Sequence, residues 1–228
     1  MAEREHTSKH YELQLRLLKD KLLLMSHHAE QMIADAIKAL VERRPSLATE
    51  VIDRDDTLDK LEIEIDNLCY QILALEQPVA RDLRFIATAL KIVKDIERIG
   101  DTGVNIAERA VELIQEPDLK RLIDIPIMAD AAQRILKESL DAFVNSDVEF
   151  AGKVIRDDQM IDALYEQIFR ELLTYMFEDT RNIARVLKLI FIAKHLERVG
   201  DHSANIAEMV IFLVRGQDIR HGTRLDRG

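Results

Sequence analysis

Residues 97–108 and 197–208 spell nearly the same helical sentence: Glu-Arg-Ile-Gly-Asp-Thr-Gly-Val-Asn-Ile-Ala-Glu, then Glu-Arg-Val-Gly-Asp-His-Ser-Ala-Asn-Ile-Ala-Glu. Eight of the twelve positions are identical, and five of those eight are charged or amide side chains. A duplicated core needs only apolar residues at helical spacing. Retained polar residues indicate instead that the chain holds two copies of one helical unit, each with a polar site of its own.

The copies stay in register well outside this segment. Met25 aligns with Met128, Val51-Ile52 with Val154-Ile155, and Asp55 and Asp59 with Asp158 and Asp162, all at an offset of 103. Past Gln77-Pro78 the offset becomes 100, and a length change confined to a turn is what duplicated helical hairpins should show.

Composition agrees with an all-α fold. Runs of strand formers are scarce, Gly numbers 7, Pro 4 and Trp 0 in 228 residues, and Leu, Ala, Ile, Glu, Lys and Arg dominate. Period and punctuation predict six helices. The first spans Ser8 to Arg43 and the second runs from an N-cap at Ser46 to Glu76. The third is opened by Pro78 and ends near Gln115, and Ile127–Asn145, Asp147–Phe177 and Arg181–Arg215 repeat the set. The expected architecture is two tandem three-helix bundles, residues 8–116 and 117–216, hinged at Glu116–Pro126 and followed by a polar tail, residues 217–228.

The net charge of −10 speaks against a nucleic-acid footprint, which needs clustered Lys and Arg. The single Cys69 excludes a disulfide framework and fits a reducing cytoplasm. No apolar run approaches the roughly 20 residues of a membrane span, so contact with a membrane is expected only through partners.

On a wheel that advances about 100° per residue, Glu97, Asp101, Asn105 and Glu108 lie within about 80° of one another, joined by Lys94. Ile92, Ile96, Ile99 and Ile106 take the other side. Glu197, Asp201, Asn205 and Glu208 repeat the stripe with Lys194. The preceding helix of each half adds a pair one turn apart, Asp55 with Asp59 and Asp158 with Asp162. One such pair alone would be an ordinary solvated face. Four matched acid–acid pairs are different, because like charges at i and i+4 repel by a few tenths of a kcal/mol and a solvent-adapted face would alternate Glu with Lys. Neighbouring helices can bring four carboxylates to one ion, and all-oxygen donors suit a hard or borderline cation such as Mg, Mn, Ca or Fe.

Gly100 and Gly200 each forgo about 1 kcal/mol of helix propensity relative to Ala, which points to close packing against a neighbouring helix. Arg98 and Arg198 are either holders of the carboxylates through hydrogen bonds or plain surface charges. His195 and His202 flank the second stripe but replace Asp95 and Thr102, which weakens a zinc site there. No Gly-rich phosphate loop, nucleophile–base pair or His-Glu-x-x-His motif is present. Two rivals to a metal-binding regulator remain: a Mg-dependent phosphohydrolase that uses the same carboxylates, and a plain helical scaffold without metal.

The segment Gln77-Pro78-Val79-Ala80-Arg81-Asp82-Leu83-Arg84, followed by Glu97-Arg98-Ile99-Gly100-Asp101, resembles the signature of the PhoU family of phosphate-uptake regulators. Residues 197–208 and Gly216-Gln217-Asp218-Ile219-Arg220-His221 fit the same family, and the likeness runs from about Tyr11 to His221. It implies paired three-helix bundles that carry multinuclear iron or zinc, or other divalent ions, on Asp55/Asp59 with Glu97/Asp101 and on Asp158/Asp162 with Glu197/Asp201. Asn105 and Asn205 are added from the wheel. The resemblance further implies a cytoplasmic, non-catalytic homodimer. Such a protein couples the ATPase subunit of a phosphate ABC transporter to a sensor histidine kinase, as a negative regulator of phosphate-starvation signalling. The second copy departs from the signature at Asp179-Thr180-Arg181-Asn182-Ile183-Ala184-Arg185, so a contact made by Asp82 and Arg84 is not expected to be duplicated.

Overall fold

Proline and left-handed residues punctuate the chain. In the computed structural model, which describes residues 2–216, Arg43, Gln77, Ser146 and Gly216 are the described residues with positive φ, and each lies at a helix end. Between them run α1 (Ala2–Glu42), α2 (Pro45–Asp53), α3 (Asp55–Glu76), α4 (Ala80–Ile114), α5 (Asp124–Asn145), α6 (Val148–Glu178) and α7 (Ile183–Arg215), with a short 3-10 turn at Thr180–Asn182. No strand occurs among the described residues. The expected tail, with the Gln217–His221 part of the resemblance, lies outside them.

Among the described residues the rods number six, as the sequence predicts, with the second broken at Arg54 into α2 and α3. Helix starts shift by a few residues. Pro45 occupies the first turn of α2 in place of an N-cap at Ser46, since its missing N–H costs nothing there. Pro78 precedes α4 by two residues, with extended Val79 as N-cap, and α5 begins at Asp124. Asp147 caps α6 as a carboxylate that accepts from Phe150 N at 3.0 Å.

Within each half three rods pack on one another, and α4–α7 and α1–α5 contacts join the halves. Buried side chains from both form one continuous core: Leu22, Met25, Met32 and Ile33 of α1, Ile92, Ile96 and Ile106 of α4, Met128 and Phe143 of α5, and Ile192, Leu196 and Ile206 of α7. Each such side chain contributes roughly 1.5–3 kcal/mol of burial. Phe85 of α4 stacks on Phe143 of α5 with ring centroids 4.9 Å apart. Cys69 is buried in this core, and burial pushes its thiol up to about 12, so it is an inert packing residue.

Helices α4 and α7 run antiparallel. Lys188 near the start of α7 pairs with Glu116 at 3.0 Å and Glu112 at 3.3 Å at the end of α4, and His202 meets Asp95 midway. The expected hinge is pinned from both sides. Arg43, just past the end of α1, donates to Asp118 and to the carbonyls of Ile114 and Glu116, while Arg185 of α7 donates to Pro117 O at 2.9 Å.

Candidate metal centre

Two grooves hold the predicted carboxylates, one between α3 and α4 and one between α6 and α7. In the second groove Asp158 and Asp162 stand one turn apart on α6, facing Glu197 and Asp201 on α7. All four interact. Burial, then Asp162, Asp201 and Glu197, push the Asp158 carboxyl up to about 7. Asp162 and Asp201 are also raised, by burial first and then by Glu197, with Lys194 opposing both shifts. Asp158 Oδ1 is buried and has no hydrogen-bond partner among the described residues. Gly200 makes room for it, because a Cβ there would overlap Asp158 Oδ1. The close packing expected of this glycine is therefore packing against a site carboxylate.

The first groove is built alike and finished differently. Asp55 is raised by burial, then by Asp59, Asp101 and Asp56. Glu97 is raised by burial, then by Asp101 and Glu62, with Arg98 and Lys94 opposing. A Cβ at Gly100 would overlap the Leu58 side chain, so here the glycine admits a core residue and not a carboxylate. Arg98, itself exposed, lies 3.5 Å from both Glu97 Oε2 and Asp101 Oδ2. Arg198 instead faces His195, whose pKa falls through burial and then the nearby Arg198 and Arg109 charges.

Asn105 sits beside Asp101 and donates one amide N–H to Asp101 O at 2.7 Å, and its side-chain oxygen is the atom it could offer a cation. Asn205 is exposed on α7. His202 points away from the carboxylates and across the α4–α7 seam, where its Nδ1 meets Asp95 Oδ1 at 2.9 Å. Two acids that the sequence reading passed over, Glu62 and Asp66, extend the first groove: Lys94 pairs with Glu62, and Asp66 is raised by burial and Glu62. Their signal was the continued helical spacing after Asp55 and Asp59.

The donors fit a hard cation in chemistry. Each groove offers four carboxylates from two helices and holds a buried carboxylate oxygen without a hydrogen-bond partner among the described residues, Asp66 Oδ1 in the first and Asp158 Oδ1 in the second, whose charge a cation would neutralise. In the described conformation no three His, Cys, Asp or Glu side chains are placed to hold one ion. Coordination would therefore require carboxylate side chains to rotate toward one another.

Fold and grooves together define a class: duplicated three-helix proteins with paired acidic grooves on consecutive helices. The PhoU domain family matches the chain twice, at residues 22–110 and 125–210. This chain belongs to the PhoU family. It is 41% identical to a phosphate-specific transport system accessory protein PhoU homolog of Pseudomonas aeruginosa, over 95% of this chain and 90% of that protein. A homolog of the same description from Aquifex aeolicus is also 41% identical, over 92% of this chain and 95% of that protein. The crystal structure of PhoU from Pseudomonas aeruginosa superposes with a TM-score of 0.86 at 40% identity, covering 91% of this chain and all of that one. No described helix is long and apolar enough to cross a membrane.

Proposed function

We propose that this chain is an accessory regulator of phosphate-specific transport, a non-catalytic protein of the cytoplasm that lowers phosphate-starvation signalling when phosphate is plentiful. The carrying observation is an alignment over nearly the whole chain to relatives named as accessory proteins of that transport system, alongside two matches to the PhoU domain. In this reading the chain meets the transporter's ATPase subunit and a sensor histidine kinase. Deleting its gene should raise a phosphate-starvation reporter severalfold in phosphate-rich medium. A reporter that stays repressed would overturn the proposal.

The same reading assigns the acidic grooves to hard cations that brace each bundle by cancelling carboxylate repulsion. The buried, unpartnered Asp158 Oδ1 supports this most directly. Protein stripped with chelator should gain several degrees in Tm on addition of manganese, by mass action on the folded state. Replacing Asp158→Asn and Asp201→Asn together should abolish most of that gain. An unchanged Tm in the wild-type protein would remove the cation from the account and leave the regulatory role standing.

A further inference from the structure

The two halves finish their helix ends differently. After α4, linker residues Pro117, Asp118, Leu119 and Leu122 close around Leu113 and the end of α1, and only about 30 Å³ stays empty between them. Arg43 donates to Asp118 there, and Leu119 and Leu122 pack against the core. At the matching end of α7 lies a cavity of about 310 Å³. Leu213 lines it in the place of Leu113, Phe85 in the place of Arg185, and Ser146 in the place of Arg43. Arg43 and Ser146 share the left-handed backbone as well, at φ 53° and 55°. The corner is the same and its filling is not.

The lining of the larger cavity favours an acidic occupant with an apolar side. Leu15, Phe85 and Leu213 supply the apolar part, and Arg16 and Lys19 of α1 and Arg81 of α4 supply positive charge. Two carboxylates oppose them, exposed Glu12 and Asp82, and Asp82 already accepts from Tyr11 Oη at 3.0 Å. Lys19 reaches only Val144 O, at 3.4 Å, and the face of the Phe85 ring. Arg16, Lys19 and Arg81 have no carboxylate partner among the described residues. Three such cations around one cavity, on a chain of net charge −10, are a local positive field awaiting a counter-charge.

The segment that fills the small corner is itself duplicated. Glu116-Pro117-Asp118-Leu119-Lys120-Arg121 after α4 corresponds, at the offset of 100, to Gly216-Gln217-Asp218-Ile219-Arg220-His221 after α7. Acid, aliphatic and base recur in that order at 118–120 and at 218–220. Leu113 and Asp118 line one and the same cavity, so chain length alone lets Asp218 reach the cavity that Leu213 lines. Arg84 adds positive charge where the chain leaves α7, with its Nη1 3.7 Å from the place a Cβ on Gly216 would take.

We infer that the segment Gln217–Arg220 of this same chain docks in the cavity bounded by α1, α4 and the ends of α5 and α7, with the Asp218 carboxylate among Arg16, Lys19 and Arg81 and Ile219 against Leu15, Phe85 and Leu213. The two corners then hold the same acid by different cations. In one, Arg43 at the end of α1 grips Asp118, and in the other the cations come from α1 and α4 while small Ser146 leaves the room. Tethering makes the docking intramolecular, so a charge-assisted contact of ordinary strength suffices. An acidic segment of another protein lacks that effective concentration, and a second copy of this acidic chain brings net repulsion as well.

Trypsin reads this docking in the full chain, because it cleaves after Arg220 and after Arg224 and its rate follows the population in which the segment is released. The reference is a free synthetic peptide of residues 214–228, which has both sites and no cavity. Cleavage after Arg220 should be at least about tenfold slower in the protein than in the peptide, while cleavage after Arg224 stays within about twofold. The paired substitution Arg16→Gln and Lys19→Gln leaves the cleaved sequence untouched, and should bring cleavage after Arg220 to within about twofold of the peptide. If that pair fails to fold, Ser146→Arg gives the cavity the counterpart of Arg43. It should slow cleavage after Arg220 by about a further threefold or more.

Wild-type cleavage after Arg220 at the peptide's rate overturns the inference. So does a slow rate that the paired substitution leaves unchanged, or one that Ser146→Arg fails to slow further. Slow cleavage that recovers to the peptide's rate on dilution would seat the segment of a second copy in the cavity, and would overturn the inference too. None of these outcomes depends on cation uptake or on phosphate-starvation signalling.

Discussion

The two grooves share their carboxylate ladders and differ in how the charge is balanced. In the first, α3 begins anew after Arg54, so Asp55 and Asp56 lie in a first helical turn, where the partial positive charge of the helix start favours carboxylates. In the second, α6 runs unbroken through Asp158, which receives no such help. The lysines diverge as well. Lys94 is drawn to Glu62, while Lys194, with Tyr165 in the matching place, pairs with the ladder residue Glu197. The doubled fold thus tolerates two different local solutions to one electrostatic problem.

The largest expected consequence concerns pH. The Asp158 carboxyl lies at about 7 in the folded protein against 3.8 for the free group, so the fold binds its proton more tightly than the unfolded chain does. Stability from this group is complete below about pH 4 and is lost as pH rises to about 7, the reverse of a salt-bridged carboxylate. Allowing for water that reaches the groove, the loss is on the order of 2 kcal/mol. In chelator-treated protein, the gap in unfolding free energy between wild-type and Asp158→Asn should change by that amount between pH 4.5 and 7.5. Asp55→Asn should show a shallower change. A gap that stays constant for Asp158 would sink the account of its burial.

The two glycines sharpen the contrast. Each Gly→Ala change brings about 1 kcal/mol of helix propensity. At Gly100 the added methyl meets fully buried Leu58, and displacing a packed core side chain costs about 1–3 kcal/mol. Gly100→Ala should therefore lower stability. At Gly200 the methyl meets Asp158, which can rotate outward toward water and lose its buried, unpartnered state. Gly200→Ala should be close to neutral in metal-free protein while reducing the manganese-induced rise in Tm. Thermal melts with and without chelator separate these outcomes, and equal losses at both positions would contradict the assignment of Gly200 to its carboxylate.

Much of this was legible in the chain because helical periodicity and duplication reinforce each other. The carboxylates at 55, 59, 97 and 101, and their partners 103 or 100 residues later, could be read without coordinates. The break at Arg54 could not, because that residue keeps helical angles, φ −74° and ψ −15°, and no Pro or Gly marks it. The Asp95–His202 pair was hidden for another reason. It exists only because α4 and α7 run antiparallel across the seam between halves, and nothing local to either helix encodes that pairing. The contrast of Tyr165 with Glu62 was visible by alignment, yet it gained meaning only once Lys94 and Lys194 were located beside them.

That contrast leads to the smallest effect and the most specific one. If the residue at the Tyr165 position decides where the lysine rests, exchanging it should move the lysine. Tyr165→Glu places a carboxylate where the first groove has Glu62, and should draw Lys194 away from Glu197. Glu62→Tyr should do the reverse and return Lys94 toward Glu97. A double-mutant cycle between Lys194 and Glu197 reads this without any metal, because it isolates the energy of the pair. For a partly exposed pair that energy is about 0.5 kcal/mol. It should fall toward zero in the Tyr165→Glu background, while the Lys94–Glu97 coupling should grow in Glu62→Tyr. The opposite signs carry the argument: if both couplings move the same way, the lysines respond to net charge alone and the identity of the neighbour on the preceding helix does not direct them.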